Sequence, residues 1–357
     1  MGKYLVLGSN SFSGSNFCAW LLKHGHQVYA TSRSTEAAFE FLPYRWQNAK
    51  PENFTFAKID LNHDLGDLQK IVHSFRPHYV VNFAAQSMVA QSWHYPQHWV
   101  NTNVLAVTNL IETLKNYDGL EKFIQVTTPE VYGSTGKKVD ESAEISPSTP
   151  YAVTRVAGDM LLKVYHDQIG FPVDFTRAAN VYGAGQQLYR IIPRTILACL
   201  SEKRLRLDGG GLSERSFIHI DDVCAATMAI CEMPDSGNTY HISTDEFVSI
   251  RDLVTTIVDK LGENFNKVVE LVDERPGKDQ AYFLDSKKLR EKISAIYDGG
   301  PDDRLIIESE LGLGTIVRPL NAYADEHLRL CRPARLSPRD SLAVVRFALG
   351  TRRCGAA

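Results

Sequence analysis

Two polar side chains four positions apart suggest acid–base chemistry. Tyr151 and Arg155 lie in a segment (150–155) that is predicted to begin a helix, and residues four apart share one face of a helix. A cation beside a phenol favours the phenolate, so we expect Arg155 to lower the pKa of Tyr151 from about 10 toward neutrality. Such a tyrosine can take the proton of a hydroxyl group while a hydride leaves the same carbon for a nicotinamide.

A second polar group precedes this helix, in the segment 126–133 (Val-Thr-Thr-Pro-Glu-Val-Tyr-Gly). The segment ends a predicted central strand, and ligands of open parallel sheets bind at that carboxyl edge. Thr128 can hydrogen-bond to the hydroxyl that Tyr151 deprotonates, and Glu130 is a carboxylate suited to act as a general base. We therefore predict Thr128, Glu130, Tyr151 and Arg155 as the catalytic residues, the alternative for Glu130 being a strand-end charge without a chemical role.

A glycine-containing turn (8–14, Gly-Ser-Asn-Ser-Phe-Ser-Gly) separates the first predicted strand from the first predicted helix. A dinucleotide-binding turn occupies this place in a Rossmann fold, where small residues admit a pyrophosphate and the helix N-terminus favours its charge. Ser11 stands where the usual pattern has its middle glycine, and its hydroxyl can donate to a phosphate. A plain tight turn is the alternative.

The end of the second predicted strand bears on the adenosine ribose. Ser32 and Arg33 lie there, and no acidic residue occurs before Glu36, which favours NADP over NAD. If Arg33 is merely a solvated loop charge, NAD is the alternative. Asp60, which follows the third strand, is placed to contact the adenine. The predicted cofactor-binding residues are Gly8, Asn10, Ser11, Phe12, Ser13, Gly14, Ser32, Arg33, Asp60, Leu61, Ala84, Ala85, Thr127, Tyr151 and Arg155.

Alternating strand and helix patterns position these residues. The predicted strands are 3–7, 27–30, 54–59, 79–83, 123–127 and 173–177, and the predicted helices are 14–24, 65–75, 96–115, 151–168, 220–232 and 250–261. The alternation predicts an α/β fold, a Rossmann-like doubly wound parallel sheet with a smaller C-terminal substrate-binding lobe. We expect an NAD(P)-binding Rossmann domain at 1–178, a substrate lobe at 179–300 with segments returning to the first domain, and a weakly ordered Arg-rich tail at 301–357.

The composition of the chain excludes several classes of protein. The chain has 357 residues, 44% of them hydrophobic and 23% charged, as in soluble globular proteins. A net charge of −3 argues against nucleic-acid binding, and no apolar stretch reaches the roughly 20 residues that span a bilayer. The N-terminus runs directly into a strand without a signal-like segment, and the six cysteines form no CxxC pair. We therefore expect a cytoplasmic protein with free thiols, without a membrane partner or a metal site.

In this order the segments resemble the extended short-chain dehydrogenase/reductase family, of the NAD-dependent epimerase/dehydratase type, and most closely its dTDP-glucose and GDP-mannose 4,6-dehydratases. That family pairs a Thr-x-Glu strand end with a Tyr-x-x-x-Lys helix, which Thr128, Glu130 and Tyr151 match, while Arg155 stands at the Lys position. The resemblance extends nearly continuously from residue 3 to about 290. The other matching segments are 82–87, 177–183, 190–193, 215–222 and 275–277.

The resemblance implies a nucleotide-diphosphate sugar as substrate. Forked arginine donors suit a diphosphate better than lysines do, so we expect Arg215 and Arg275 to clamp it and Asn180 to donate to phosphate or sugar. Solvated surface arginines are the alternative. The predicted substrate-binding residues are Ser87, Asn180, Arg190, Arg215 and Arg275.

The resemblance also implies a reaction, the 4,6-dehydration of the hexose. Bound NAD(P)+ oxidises C4, Glu130 removes the C5 proton that the C4 ketone acidifies, water leaves from C6, and hydride returns there. Two residues depart from the pattern. Pro129 cannot donate a proton as the Asp of dTDP-glucose-type enzymes does, so either another group or water protonates the leaving hydroxyl, or Glu130 does both jobs, or elimination does not occur. Arg155 cannot act as a proton relay, so we expect slowed but not abolished oxidation.

Two other functions stay open at this stage. One is a 4-epimerase or dehydrogenase of the same family, and the other is a non-catalytic nucleotide-sugar binding protein, which the departures at Ser11, Pro129 and Arg155 would fit. Family members commonly dimerise through the tyrosine-bearing helix and the helix before it. These correspond to about 151–168 and 96–115 here, so we expect a homodimer.

Overall fold

A seven-stranded sheet, in which every neighbouring pair of strands is parallel, forms the centre of the fold. A computed structural model describes residues 1–46, 51–201, 203–273 and 283–297. The strands of the described residues are β1 (Lys3–Leu7), β2 (Gln27–Ser32), β3 (Phe54–Lys58), β4 (Tyr79–Asn82), β5 (Lys122–Val126), β6 (Lys138–Val139), β7 (Val173–Ala178), β8 (Asn180–Tyr182), β9 (Leu205–Asp208), β10 (Glu214–Arg215), β11 (Phe217–His219), β12 (Thr239–Ile242), β13 (Val248–Ser249), β14 (Val269–Val272) and β15 (Phe283–Leu284).

The strand order of the large sheet is β12-β7-β5-β4-β1-β2-β3. The chain starts in the middle with β1, builds outward through β2 and β3, and then returns to β4 on the other side of β1. The order therefore reverses between β1 and β4, and such a switch point opens a crevice at the carboxyl ends of the strands. This topology confirms the predicted Rossmann-like doubly wound α/β fold.

Helices cover both faces of this sheet. The α-helices of the described residues are α1 (Phe12–Lys23), α2 (Pro43–Trp46), α3 (Leu65–Phe75), α4 (Val89–Ser92), α5 (Pro96–Val100), α6 (Ala106–Leu114), α7 (Pro150–Ile169), α8 (Ile191–Ser201), α9 (Ile220–Glu232), α10 (Ile250–Lys260), α11 (Phe265–Val268) and α12 (Lys287–Tyr297). A π-helical stretch, Asn101–Leu105, joins α5 to α6. The helix predicted at 96–115 is therefore continuous but contains one wider, underwound turn.

The alternating residues of β1 show how the two faces are buried. Tyr4 and Val6 pack into the hydrophobic cluster that contains Phe17 of α1, whereas Leu5 and Leu7 pack into the opposite cluster. All four side chains are fully buried. A strand that is apolar on both sides requires helices on both faces, which is the arrangement of a doubly wound sheet.

The later part of the chain forms a smaller unit and also contributes to the large sheet. The strand pairs β8/β11, β10/β13 and β9/β14 are two-stranded, and α8 and α10 pack beside them around their own apolar cluster. In contrast, β12 pairs with β7 at one edge of the large sheet. The residues of the predicted tail (301–357), together with Arg275, lie outside the described residues.

Candidate functional site

The turn between β1 and α1 has a conformation that requires glycine at two positions. Gly8 has a φ of +80°, and a Cβ there would lie 2.6 Å from the backbone nitrogen of Ala84, after β4. A Cβ on Gly14 would lie 2.5 Å from the carbonyl oxygen of Gly8. The helix N-terminus is therefore drawn tightly against two strand ends. The backbone N–H groups of Ser9 and Ser11 donate inside the fold, to the carbonyl oxygens of Thr31 and Gly8.

Ser11 closes this turn with its own side chain. Its hydroxyl donates to the carbonyl oxygen of Gly8 at 2.7 Å and accepts from the backbone N–H of Gly14 at 3.1 Å, as the N-cap of α1. The single hydroxyl proton is thus used inside the protein. In the structure this proton has an acceptor inside the turn, and donation from the hydroxyl to a phosphate stays a prediction.

A solvent-open cavity of about 270 Å³ lies at the switch point beside the turn. Among the predicted cofactor residues, those that line it are Gly8, Asn10, Ser11, Ser32, Arg33, Asp60, Leu61, Ala84 and Ala85. The predicted cofactor set does not contain the other lining residues, which are Thr31, Ser34, Ile59, Asn62, Phe83, Gln86, Thr102 and Ala106. Most of these flank predicted residues on the same strand ends, and that adjacency is the signal by which they can be found.

The adenosine end of the cavity is built from the loop after β2. The side-chain amide of Asn10 donates to the Ser34 hydroxyl at 3.0 Å and to the carbonyl oxygen of Thr35 at 2.7 Å, so it holds this loop beside the glycine turn. Arg33 is exposed in the same loop. Asp60 is the one carboxylate among the lining residues, and it accepts from the backbone N–H of Asn62.

Phe12 and Ser13 have a different place from the cavity residues. The Phe12 side chain is buried in the cluster between α1 and the sheet, so its aromatic ring has a packing role. Ser13 and Gly14 belong to the first turn of α1 and do not line the cavity, although their backbone belongs to the N-terminus that faces it.

The catalytic candidates converge where β5 ends. Thr128 follows this strand and caps a short 3-10 helix (Pro129–Tyr132) by accepting from the backbone N–H of Glu130 at 3.3 Å. Tyr151, near the start of α7, has its phenol within hydrogen-bonding reach of the Thr128 hydroxyl and feels the charge of Glu130. The Oε2 atom of Glu130 is fully buried. A phenol, a hydroxyl and a carboxylate thus meet at the carboxyl edge of the sheet.

The pKa of Tyr151 differs in direction from the sequence-based expectation. Burial of the phenol raises this pKa above 10.0, and the positive charge of Arg155 lowers it by less than burial raises it. The expectation of a net shift toward neutrality is wrong for the protein without cofactor. The cation works in the predicted direction, but the removal of water from the phenol outweighs it.

Arg155 lies beneath Tyr151 and points into the protein. The residue is 2% exposed, and its Nη2 donates to the carbonyl oxygen of Val126, the last residue of β5. Its Nε and Nη1 atoms are buried and find no hydrogen-bond partner among the described residues. Buried donors without partners are costly, so these two N–H groups fit a ligand that supplies acceptors, such as the hydroxyl groups of a ribose.

The side chain of Thr127 makes a hydrogen bond beneath the catalytic candidates. Its hydroxyl donates to Asp159, one turn along α7 from Arg155, at 2.8 Å. The side chain of this predicted cofactor-binding residue therefore faces the protein interior, and its backbone remains at the strand end.

Asn103, in the π-helical stretch, is a buried polar residue that sequence reasoning missed. Its side chain donates to the carbonyl oxygen of Gln86 at 3.1 Å and to the Thr154 hydroxyl at 3.1 Å, and accepts from the backbone N–H of Gln86 at 2.9 Å. It thereby ties the loop after β4 to α7. An asparagine on the apolar face of a predicted helix was the available signal.

The predicted substrate residues are spread over several elements. Asn180 begins β8, which pairs with β11. Its side chain donates to the carbonyl oxygen of Ser216 at 3.1 Å, and Ser216 directly follows Arg215, so Asn180 and Arg215 lie near each other. Arg215 donates to the carbonyl oxygen of Glu214. Ser87 is exposed after β4, and Arg190 is exposed before α8 with its guanidinium 5.5 Å from the ring centre of Tyr189.

Among the described residues, no helix has the length and apolar character needed to cross a bilayer.

Comparison with known proteins relates this arrangement to a family. The profile of the family described as GDP-mannose 4,6 dehydratase matches residues 5–301. The chain is 31% identical over 243 residues to a trifunctional UDP-glucose 4,6-dehydratase/UDP-4-keto-6-deoxy-D-glucose 3,5-epimerase/UDP-4-keto-L-rhamnose-reductase of Arabidopsis thaliana. The matched segment covers 67% of this chain and 36% of the relative. The match thus spans about a third of that relative's length. A dTDP-glucose 4,6-dehydratase of Xanthomonas campestris is 28% identical over 319 residues, 82% of this chain and 88% of the relative.

Solved structures have the same fold. A double mutant of dTDP-glucose 4,6-dehydratase from Streptomyces venezuelae, with NAD bound, superposes with a TM-score of 0.74 at 27% identity over 82% of this chain and 91% of that one. A UDP-glucuronic acid 4-epimerase from Bacillus cereus, in complex with UDP-glucuronic acid and NAD, gives a TM-score of 0.76 at 26% identity over 92% and 99% of the two chains. With the profile match over most of its length, this chain belongs to the GDP-mannose 4,6-dehydratase family.

Proposed function

We propose that this protein is an NAD(P)-dependent nucleotide-diphosphate-sugar 4,6-dehydratase. The observation that carries the proposal is the placement of Glu130, whose Oε2 is buried at the strand end beside the phenol of Tyr151. Hydride transfer at a sugar hydroxyl needs a proton acceptor such as Tyr151, and dehydration needs in addition a carboxylate that can reach the neighbouring carbon. The relatives named as 4,6-dehydratases support the same reaction.

The dinucleotide fits the crevice at the switch point. The glycine turn would hold its pyrophosphate, Asp60 would contact the adenine, and the buried N–H groups of Arg155 would donate to a ribose. When bound, the nicotinamide would accept a hydride from hexose C4 and later return it to C6. NAD is present in the related structures, while Ser32 and Arg33 beside the adenosine end favour NADP.

Tyr151 and Glu130 divide the proton chemistry between them. Tyr151 takes the proton of the C4 hydroxyl, Thr128 orients that hydroxyl, and the charge of Arg155 favours the phenolate. The C4 ketone then acidifies the C5 proton, which the Glu130 carboxylate removes. Pro129 has no proton to give, so the proton that Glu130 has taken from C5 leaves with the C6 hydroxyl as water. One carboxylate then serves both halves of the elimination. When hydride returns to C6, C5 takes up one proton, which the proton that Tyr151 removed from the C4 hydroxyl balances.

The substrate would lie against the smaller unit of the structure. We assign residues 179–300 to a substrate lobe beside a cofactor domain at 1–178, with β12 returning to the large sheet. Asn180 and Arg215, which β8 and β11 bring together, would bind the diphosphate, and Ser87 would face the hexose from the loop after β4. Arg190 would contact the nucleotide. Arg275 completes the proposed substrate set from outside the described residues.

A Glu130→Gln variant tests the role of Glu130. We expect water loss to slow by roughly 100-fold or more, while hydride exchange at C4 continues, because Tyr151 is unchanged. The loss of water from the sugar is followed by mass spectrometry. Hydride exchange at C4 is followed by the transfer of deuterium from a C4-labelled sugar to added cofactor. Tyr151→Phe is the contrasting variant and should stop both steps. The exposed Glu144→Gln serves as the matched control. Equal water loss in Glu130→Gln and the parent protein would remove Glu130 from the mechanism.

A 4-epimerase is the second candidate, and two observations favour it. Pro129 lacks an acid group, and the fold similarity to the UDP-glucuronic acid 4-epimerase is as high as to the dehydratase. An epimerase returns hydride to C4 on the other face, so its product keeps the mass of the substrate and changes its stereochemistry. Mass and NMR spectra of the recovered sugar therefore separate the two reactions.

We further propose that the protein is a cytoplasmic homodimer. Val153, Met160 and Val164 are all more than half exposed on α7, and their spacing places them on one helical face. Val100 and Leu105, of the neighbouring helical segment that packs on α7, are also exposed. A second copy applied to this face would bury the apolar side chains of both helices. The four described cysteines are free and buried, as expected of a reducing compartment.

A Met160→Glu/Val164→Glu double variant tests this interface. We expect the parent protein to sediment as a dimer and the double variant as a monomer, since four charges per dimer would have to be buried. Leu271→Glu, at an exposed apolar residue of β14, is the control and should leave the dimer intact. A parent protein that is monomeric at micromolar concentration would contradict the proposal.

A further inference from the structure

A buried group of charges lies directly beneath the catalytic candidates. Asp159, on α7 one turn after Arg155, is 7% exposed and accepts from the Thr127 hydroxyl at 2.8 Å. Arg177 of β7 places its Nη2 3.5 Å from the same carboxylate oxygen. The carboxylate of Asp159 and the guanidinium groups of Arg155 and Arg177 are each less than a tenth exposed, and both cations act on the carboxylate.

The balance of charge in this group is uneven. Arg155 and Arg177 bring two positive charges, and Asp159 brings one negative charge. Burial raises the pKa of the Asp159 carboxyl, and the two arginines lower it. Charges in a water-poor interior act on their neighbours more strongly than charges in solvent. The phenol of Tyr151, two turns before Asp159 on α7, is within range of the charges of both Arg155 and Asp159.

We propose that Asp159 is a positioning residue that sets how much of the Arg155 and Arg177 charge reaches the phenol of Tyr151. An arginine at position 155 has no proton to relay, so it acts on the phenol through its charge and its orientation. Asp159 opposes that charge, and its contact with Arg177 at 3.5 Å holds the second guanidinium beside the same carboxylate. A test of this inference by enzyme kinetics rests on the proposed function, whereas a test by NMR titration of Tyr151 does not.

The sign of the effect follows from the groups that face Tyr151. These are Arg155, which favours the phenolate, and Glu130 and Asp159, which oppose it, together with the Thr128 hydroxyl. Loss of the Asp159 charge leaves two uncompensated cations and stabilises the phenolate. Loss of the Arg177 charge has the opposite effect, because Asp159 then keeps more of its negative field.

The test compares Asp159→Asn with Arg177→Gln. The rise of kcat/KM with pH, which Tyr151 ionisation controls, should move to lower pH by about one unit in Asp159→Asn and to higher pH in Arg177→Gln. Tyr151 ionisation is also measured without substrate, from the NMR signals of carbon-13-labelled tyrosine rings, assigned by their loss in Tyr151→Phe. The same two shifts are expected there.

Asp174→Asn is the matched control. Asp174 is a fully buried carboxylate, paired at 2.8 Å with Lys122 at the amino ends of β5 and β7, away from the site. This variant should lose stability without moving the ionisation of Tyr151. An unchanged Tyr151 ionisation in Asp159→Asn overturns the inference, and so does an unchanged ionisation in Arg177→Gln if Asp159→Asn fails to fold. Shifted NMR titrations without turnover on any sugar nucleotide would uphold the inference and reject the proposed function.

Discussion

The guanidinium of Arg155 is the residue-scale feature with the largest effect on the proposed chemistry. It is buried, anchored to the end of β5, and fixed beneath the tyrosine that must lose a proton. A planar cation held in this way can bias the phenol through its field and can donate to a ribose, but it cannot pass a proton onward. Oxidation of the sugar should therefore be slower here than with an ammonium group at the same place.

An Arg155→Lys variant is predicted to oxidise substrate faster. The ammonium group is compact and mobile, so it can approach both the phenol and a ribose hydroxyl, and a gain of about tenfold corresponds to about 1.4 kcal/mol. Single-turnover reduction of the cofactor measures this step. Arg155→Met is the companion variant and should be slower than the parent protein, and a lysine variant without any gain would count against the account.

Residue types, spacing and the family resemblance led to four catalytic candidates, whose roles stay a prediction. The structure places three of them, Thr128, Tyr151 and Glu130, at one strand end. Their energetics were not predictable in the same way. The direction of the Tyr151 pKa depends on how completely tertiary packing removes water from the phenol, and local spacing carries no such information. Asp159 was missed for the same reason, because its partners Thr127 and Arg177 lie on other elements.

The element that controls cofactor binding is the turn from β1 into α1. It brings the start of the helix so close to the strand ends that Gly14 touches the backbone of Gly8, and Ser11 replaces a glycine without obstruction because its hydroxyl bonds inside the turn. The serine is therefore compatible with a dinucleotide, which weakens the case for a non-functional cofactor site.

Gly14→Ala is predicted to weaken dinucleotide binding. The added Cβ would lie 2.5 Å from the Gly8 carbonyl oxygen and 2.9 Å from Ser11 Oγ, and such overpacking costs about 1–3 kcal/mol. Calorimetric titration with NAD+ and with NADP+ measures the loss. Gly66→Ala, in α3 with nothing within 4 Å of the new Cβ, is the control and should bind as the parent does. Unaltered binding by Gly14→Ala would show that the turn does not hold the cofactor.

Most strands of the large sheet and several of the long helices were predictable to within a few residues, because their apolar periods and turn residues are strong. The helices 65–75 and 220–232 were predicted with the bounds that the structure has. The π-helical stretch was not foreseen, because it is stabilised by the contacts of Asn103 with Gln86 and Thr154 rather than by local sequence. The strand β12 was also missed, since its partner β7 is more than sixty positions earlier in the chain.

At the scale of the whole molecule, a series of buried hydrogen bonds joins the catalytic edge to the outer strand of the sheet. Arg177 donates to the Tyr132 hydroxyl, which lies 2.7 Å from Nε2 of His241 in β12. His241 is fully buried, and burial lowers its pKa to about 4, with the charge of Arg177 acting in the same direction. The imidazole is therefore neutral in the folded protein over the working pH range.

Stability is predicted to fall in acid as the histidine protonates in the unfolded chain. Because the folded pKa lies below the unfolded value of about 6.5, the unfolded state binds the proton first, and stability is lost as pH falls from about 6.5 to 4. The contribution is up to about 3 kcal/mol. Urea unfolding at several pH values should show a shallower pH slope for His241→Gln than for the parent and the exposed-site control His73→Gln. Equal slopes would contradict the assignment.

The most direct test of the central claim is the mass of the product. The purified protein is incubated with dTDP-glucose, GDP-mannose, CDP-glucose, UDP-glucose and UDP-N-acetylglucosamine, each with NAD+ or NADP+, and the sugar nucleotides are measured by mass spectrometry. The account predicts a product lighter by one water from at least one donor, and loss of that product in Glu130→Gln. Donors that all keep their mass, with the sugar either inverted at C4 or unchanged, would contradict the dehydratase.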